Sequence, residues 1–146
     1  MYQHILISTD GSEVAQKGLD HGLELAKAIG AKVTIVTVSE SVLPYVGSDI
    51  GLSSATYVEF AAHQKRMGER VLGDADKAAE QAGVQAETVF LENAAPAAAI
   101  VDAAEANSCD LIVMASHGRR GLRRLVLGSV TSEVLALSPI PVLVVR

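Results

Sequence analysis

Between Met114 and Leu135 the chain reads MASHGRRGLRRLVLGSVTSEVL. Gly118 and Gly128 stand ten positions apart, and Ser129-Val130-Thr131 after the second has the character of a helix start. Small residues let backbone N–H groups come close to a phosphate. A helix start adds unpaired amides and the positive end of the helix dipole. The Ser129 and Thr131 hydroxyls are further donors, and Arg119, Arg120, Arg123 and Arg124 bring positive charge to a chain of net charge −5. The chemistry this stretch suits is holding a polyphosphate. An ordinary surface loop with a solvated basic face is the alternative these residues leave open. His117, inside the stretch, either bonds a phosphate or orients the turn. Two familiar phosphate loops are excluded by spacing: there is no GxxxxGK[ST], and no GxGxxG follows the first strand.

A second candidate is Asp10 in Asp10-Gly11-Ser12, directly after the apolar run His4–Thr9. A carboxylate at the end of a central strand suits a Mg²⁺-bound phosphate or a ribose hydroxyl; it equally suits a turn ahead of the helix cap Ser12. Val38-Ser39, at the end of a second strand, is the third. The remaining chemistry-bearing side chains read as structural. His4, His21 and His63 lack metal-ligand spacing. Cys109 has no partner cysteine and precedes a buried strand, which makes it an inert small residue. Glu40 and Glu92 lie at strand ends and read as surface charge.

The elements that would position these groups follow from periodicity. His4–Thr9, Lys32–Val38, Gln85–Leu91, Asp110–Ala115 and Pro141–Val145 are short β-branched or apolar runs. Between them, apolar residues recur at helical spacing. The first helix starts at Ser12, carries Ala15, Leu19, Leu23, Ala26 and Ile29 on one face, and is capped by Gly30. The second runs over Thr56–Ala82 with Phe60, Met67, Val71, Ala75, Ala78 and Ala82 on one face, and Gly68 and Gly73 weaken it. The third opens at Ala95-Pro96 and runs to Asn107; the fourth is Ser129–Leu137. Ser39–Ala55 is a long Ser/Gly-rich connection. Alternation of strand and helix predicts one α/β domain over residues 1–146. The expected architecture is a five-stranded parallel sheet with helices on both faces, a Rossmann-like open sandwich of strand order 3-2-1-4-5. Ligands in such sheets bind beyond the carboxyl ends of the strands, where all three candidates fall.

Composition agrees. A chain of 146 residues, 49% hydrophobic but 3% aromatic, buries its core with Ala, Val, Leu and Ile, as parallel strands under Ala-rich helices do. The acidic balance argues against nucleic acid or an anionic membrane as partner. The start of the chain lacks a basic n-region, no run approaches a membrane span, and a lone cysteine fits a reducing cytoplasm; a cytoplasmic protein is expected.

The whole chain resembles the universal stress protein family in its ATP-binding branch. The likeness lies in ILISTDGSE, DLIVMASHG, GSVTSEVL and PVLVV. That branch carries Gly, two residues, Gly, nine residues, Gly, then Ser or Thr; here the positions are Ala115, Gly118, Gly128 and Ser129, with alanine in place of the first glycine. The resemblance implies an ATP site with Thr9 and Asp10 beside the nucleotide and Asp10 helping to hold Mg²⁺ or Mn²⁺. It implies adenine recognition at the Val38 backbone and ribose contacts at Met114 and Ala115. On the phosphate side it implies Gly118, Gly128, Ser129, Val130 and Thr131, to which the residues of the loop themselves add His117 and Arg119 as candidates. It further implies a homodimer formed through Pro141–Val145, an apolar strand at a sheet edge, and a nucleotide-dependent stress-response role. No catalytic base is evident, so hydrolysis is expected to be weak at most. A slow ATPase and a nucleotide-free interaction dimer are the alternatives within the family. A phospho-receiver is disfavoured because Asp10 stands without an acidic neighbour.

Overall fold

A computed structural model describes residues 1–39, 54–92, 95–118 and 126–146. Its elements run β1 (His4–Ser8), α1 (Glu13–Ile29), β2 (Lys32–Val38), α2 (Ser54–Ala82), β3 (Ala86–Leu91), α3 (Pro96–Ala106), β4 (Leu111–Ala115), α4 (Ser129–Leu137) and β5 (Val142–Val145). The strands form one parallel sheet in the order β3-β2-β1-β4-β5, the expected topology. Central strands are buried on both sides, and strand alternation divides their side chains between two cores. Ile5, Ile7, Val33, Ile35 and Val113 pack under α1 and α2. Leu6, Val36, Ile112 and Met114 join residues of α3 and α4, including Ile100, Ala104 and Val134. Each fully buried Ile, Leu or Val contributes about 1.5–3 kcal/mol, and the central strands β1, β2 and β4 carry most of them.

Local signals set the element ends. The Ser12 hydroxyl accepts the Ala15 N–H at 3.2 Å, and Gly30 closes α1 in the left-handed region at φ 70°. Ser12→Ala is expected to lower stability by about 1 kcal/mol, read as a fall in the urea midpoint at unchanged slope. Pro96 occupies the first turn of α3. At the far edge of the sheet the Asp110 carboxylate accepts the Gln3 and His4 amides at 2.8 and 3.1 Å. The N-terminus is thereby clamped at the end of the sheet opposite the candidate site.

Four strands are one residue shorter than the sequence suggests: Thr9, Gln85, Asp110 and Pro141 fall outside them. Thr9 still donates its N–H to the Val36 carbonyl at 3.0 Å. The larger difference is in α2, which starts at Ser54. Its buried stripe is Gly68, Leu72, Ala75 and Ala79. Ala75 of the predicted face is in it, and Ala78 and Ala82 pack partly buried beside it, but Gly68 and Leu72 take the places expected for Met67 and Val71, and Phe60 is 41% exposed. Two causes act together. Only the second half of α2 lies over the sheet, and it rolls its thinnest position, Gly68, onto Phe90 of β3. A Cβ at Gly68 would lie 2.1 Å from that ring. Most of the predicted Ser39–Ala55 connection, with Glu40, lies outside the described residues.

Candidate functional site

Buried hydroxyls collect at one end of the sheet. Of the six buried polar residues among the described ones, Thr9, Thr37, Ser39, Ser116 and Thr131 stand at or beyond the strand carboxyl ends; the sixth, Thr34, does not. Such groups are tolerated in a core only when hydrogen-bonded, and here the bonds shape two turns.

The first turn follows β1. Thr9 Oγ1 accepts the Gly11 N–H at 3.2 Å and Asp10 Oδ1 accepts the Ser12 N–H at 2.9 Å. Gly11 has φ +77°, a conformation other residues adopt only with strain. The other oxygen of Asp10 reaches across to the second turn: a Cβ on Gly118 would stand 2.7 Å from Asp10 Oδ2. Asp10 thus serves the turn and also sits directly over the first glycine of the loop after β4.

The second turn runs from β4 to α4. Ala115 and Met114 are buried, and Val38 ends β2 half-buried. Ala115 shares its strand face with Leu111 and Val113, which belong to the core under α1. Its methyl is therefore directed toward the α1 side of the sheet, and Gly18 of α1 lets the β4 backbone come close: a Cβ there would fall 3.0 Å from the Ala115 nitrogen. The Gly128 N–H donates to the Ser116 carbonyl at 2.8 Å, and a Cβ at Gly128 would lie 3.2 Å from that same oxygen. Helix α4 then begins at Ser129 with no side-chain cap. Its first helical bond is Ser132 N–H to the Gly128 carbonyl at 3.0 Å. The amides of Ser129, Val130 and Thr131 precede that bond and have no intrahelical acceptor. They make a donor cluster at the positive end of the helix dipole.

Two side chains take structural work that the sequence left undecided or assigned elsewhere. The Thr131 hydroxyl, 2% exposed, donates to the Ala115 carbonyl at 2.9 Å. It braces the junction of β4 and α4, so Thr131 can offer a ligand its backbone amide. The His117 ring bonds Ser116 Oγ at 2.9 Å through Nδ1 and the Val126 carbonyl through Nε2. It orients the turn. Arg119, Arg120, Arg123 and Arg124 lie outside the described residues. Sequence reasoning missed Gly18 and Ser116 as shapers of the site; the one available signal was an isolated glycine inside a helical pattern.

The structure therefore brings Thr9, Asp10, Gly118, Gly128 and the start of α4 to one end of the sheet, with Val38, Met114 and Ala115 at neighbouring strand ends. Among the described residues no group of three or more His, Cys, Asp or Glu side chains could hold a metal by itself. No described helix is long and apolar enough to cross a membrane.

Cys109 lies at the opposite edge, 5% exposed. Burial pushes its thiol from 9.0 up to about 11, against a hydrogen bond with Thr34 that acts the other way and a smaller upward push from Asp110. The folded state thus keeps the proton longer than the unfolded chain does. The stabilising effect is complete below pH 9 and is lost as pH rises from about 9 to about 11. Stability is expected to fall there by about 1.4 kcal/mol per pH unit. Denaturant titrations at several alkaline pH values should show that slope reduced in Cys109→Ala.

The comparisons with known proteins agree with this architecture. The model of the universal stress protein family matches residues 1–146. A universal stress protein of Methanocaldococcus jannaschii is 37% identical over 146 residues, which covers all of this chain and 83% of that one. A solved structure of a hypothetical protein, used to assign its biochemical function, superposes with a TM-score of 0.82 at 29% identity and covers 99% of this chain and 96% of its own. A universal stress protein in complex with cAMP superposes at 0.71 with 26% identity, over 99% of this chain and 97% of its own.

Proposed function

The chain belongs to the universal stress protein family, and on that premise we propose that it binds ATP across the carboxyl ends of β1, β2 and β4. In this reading it serves as a nucleotide-dependent regulatory module of the stress response. The observation that carries the reading is the uncapped start of α4, three amides behind two glycines at which a Cβ would crowd Asp10 Oδ2 at 2.7 Å and the Ser116 carbonyl at 3.2 Å. Such a cluster suits an anion. Gly118, Gly128 and the amides of Ser129, Val130 and Thr131 hold the phosphates; Val38, Met114 and Ala115 flank the nucleoside. Asp10, with Thr9 beneath it, holds the ribose or a Mg²⁺ or Mn²⁺ ion that arrives with the phosphates. Arg119 adds charge from the loop.

The role is binding, not turnover. Phosphoryl transfer needs a placed base and charge stabilisers around the nucleophile, and Asp10 is the single carboxylate assigned to this cleft. The direct test is to denature the purified protein and identify released small molecules by mass spectrometry, then to titrate the emptied protein calorimetrically with ATP and Mg²⁺. Saturable binding supports the proposal, and no heat at millimolar ATP rejects it. Because one structural relative holds cAMP, cAMP is the second titrant. A clear preference for it would move the assignment from a polyphosphate to an adenine monophosphate.

We further propose a homodimer through β5 in the cytoplasm. β5 is an edge strand with four half-exposed apolar residues, and Leu135 and Leu137 on adjacent α4 are 44% and 51% exposed. Apolar edges of this kind pair with other chains. Sedimentation should give a dimer mass that Val144→Lys reduces to a monomer; a concentration-independent monomer in the wild-type protein would reject it.

A further inference from the structure

A cavity lies apart from the start of α4, between the start of α1 and the middle of α2, with a volume of about 220 Å³. One face is the α2 stripe Met67, Arg70, Val71 and Asp74; the other is Gln16 and Leu19 of α1, with the Thr9–Gly11 turn closing the end toward the sheet. The lining has a definite order. Leu19 is buried, and Val71 rests against Gly11, where a Cβ would meet its methyl at 2.7 Å; these make an apolar floor. The rim carries one guanidinium and one carboxylate, four positions apart on the same helix face.

Arg70 and Asp74 are both exposed and line the cavity, so their heads face solvent at its mouth. The Gln16 amide nitrogen is committed to Asp20 Oδ1 at 2.8 Å, which leaves its carbonyl oxygen as an acceptor. Thr9 Oγ1 already accepts from Gly11, and its hydroxyl hydrogen remains to be donated. The cavity therefore offers a cation and a hydroxyl donor for a carboxylate, an anion and a carbonyl for an ammonium, and an apolar floor for a short side chain. Size narrows the class further. An apolar cavity of about 150 Å³ holds one benzene, so one of about 220 Å³ takes roughly nine heavy atoms, as many as free leucine has. An adenosine has roughly twice that number and does not fit.

We propose that this cavity binds a free α-amino acid with a medium-sized apolar side chain. Its carboxylate pairs with Arg70, its ammonium with Asp74 and the Gln16 carbonyl, and its side chain rests on Leu19 and Val71. The site is separate from the proposed nucleotide cleft and shares with it only the Thr9–Gly11 turn.

The test is methyl NMR of the full chain titrated with millimolar L-leucine, first free of nucleotide and then with ATP, so that a failure of nucleotide binding leaves the leucine result readable. Two probes carry one head each, 4-methylpentanoate and 3-methylbutylamine. Saturable shifts at the Leu19 and Val71 methyls are expected. Binding should weaken at least about tenfold for either one-headed probe and in Arg70→Gln or Asp74→Asn, because each removes a charge-assisted pair. Both substitutions are on exposed side chains and leave the core intact. Absence of saturable shifts at Leu19 and Val71, or equal affinity in both variants and the wild type, overturns the proposal.

Discussion

Gly118→Val is expected to weaken ATP binding at least about a hundredfold, equivalent to about 2.7 kcal/mol, while the unfolding midpoint barely moves. Any side chain at position 118 begins with a Cβ, and that Cβ would stand 2.7 Å from Asp10 Oδ2. Carboxylate and loop cannot both keep their places. The loop moves away from the α4 amides, or Asp10 turns away from the ligand it is proposed to serve. A valine adds two further methyls at the mouth of the cleft. The fold is spared because Gly118 is exposed and, among the described residues, the only other atom near its Cβ position is the Asp10 carboxyl carbon at 3.8 Å. Calorimetry with Mg²⁺-ATP, run beside thermal denaturation, separates the two effects. An affinity within threefold of the wild type would remove Gly118 from the site. A double-mutant cycle with Asp10→Ala and Gly118→Ala locates the cause. If the clash with the carboxylate is the reason, adding Gly118→Ala to Asp10→Ala costs much less than adding it to the wild type.

The sheet was legible from the sequence because its five strands carry their own signal. Runs such as KVTIVTV and DLIVMA are β-branched and apolar over a strand's length, and the helices between them repeat at three and four. Helix α1 was readable to its caps, Ser12 and Gly30, because both act within a few residues along the chain. What escaped was decided by contacts between distant elements. The roll of α2 depends on the Phe90 ring meeting Gly68, and nothing near Gly68 in sequence announces that ring. The same distinction holds at the site. Glycine spacing marked the backbone of the α4 loop. The duties of His117 and Thr131 depended on which carbonyl lay within reach, Val126 in one case and Ala115 in the other. A hydroxyl or an imidazole in a sequence shows only that it will find a partner. Ala115 is the case where the structure changes the meaning of a departure from the family pattern. Its methyl lies on the strand face it shares with Leu111 and Val113, under α1.

Gly22 and Gly73 both look like weak points in helices, yet substitutions at them are expected to act in opposite directions. Glycine in a helix interior is less favourable than alanine by about 1 kcal/mol, so each position gains from losing it if space permits. At Gly73 nothing among the described residues lies within 4 Å of the added Cβ, and the residue is exposed. Gly73→Ala should therefore raise stability by about 0.5–1 kcal/mol. At Gly22 the Cβ would fall 2.7 Å from Ile7 Cδ1 and 3.3 Å from Val113 Cγ1. Ile7 and Val113 are both at 0% exposure in the centre of the sheet, where neither side chain can yield without displacing a neighbour. Overpacking by a single methyl typically costs about 1–3 kcal/mol, which already cancels the propensity gain. Gly22→Leu adds three more carbons and pushes α1 off β1 and β4, so about 3 kcal/mol or more should be lost, a fall of roughly 10 °C in the unfolding midpoint. Because α1 also presses Gly18 against the Ala115 nitrogen at the end of β4, the displaced helix should weaken ATP binding as well, whereas Gly73→Ala should leave it unchanged. Paired melting curves decide the matter: a loss below about 1 kcal/mol in Gly22→Leu would mean that close approach of α1 is not what holds the two turns in register, and destabilisation by Gly73→Ala would mean that helix propensity does not govern that position.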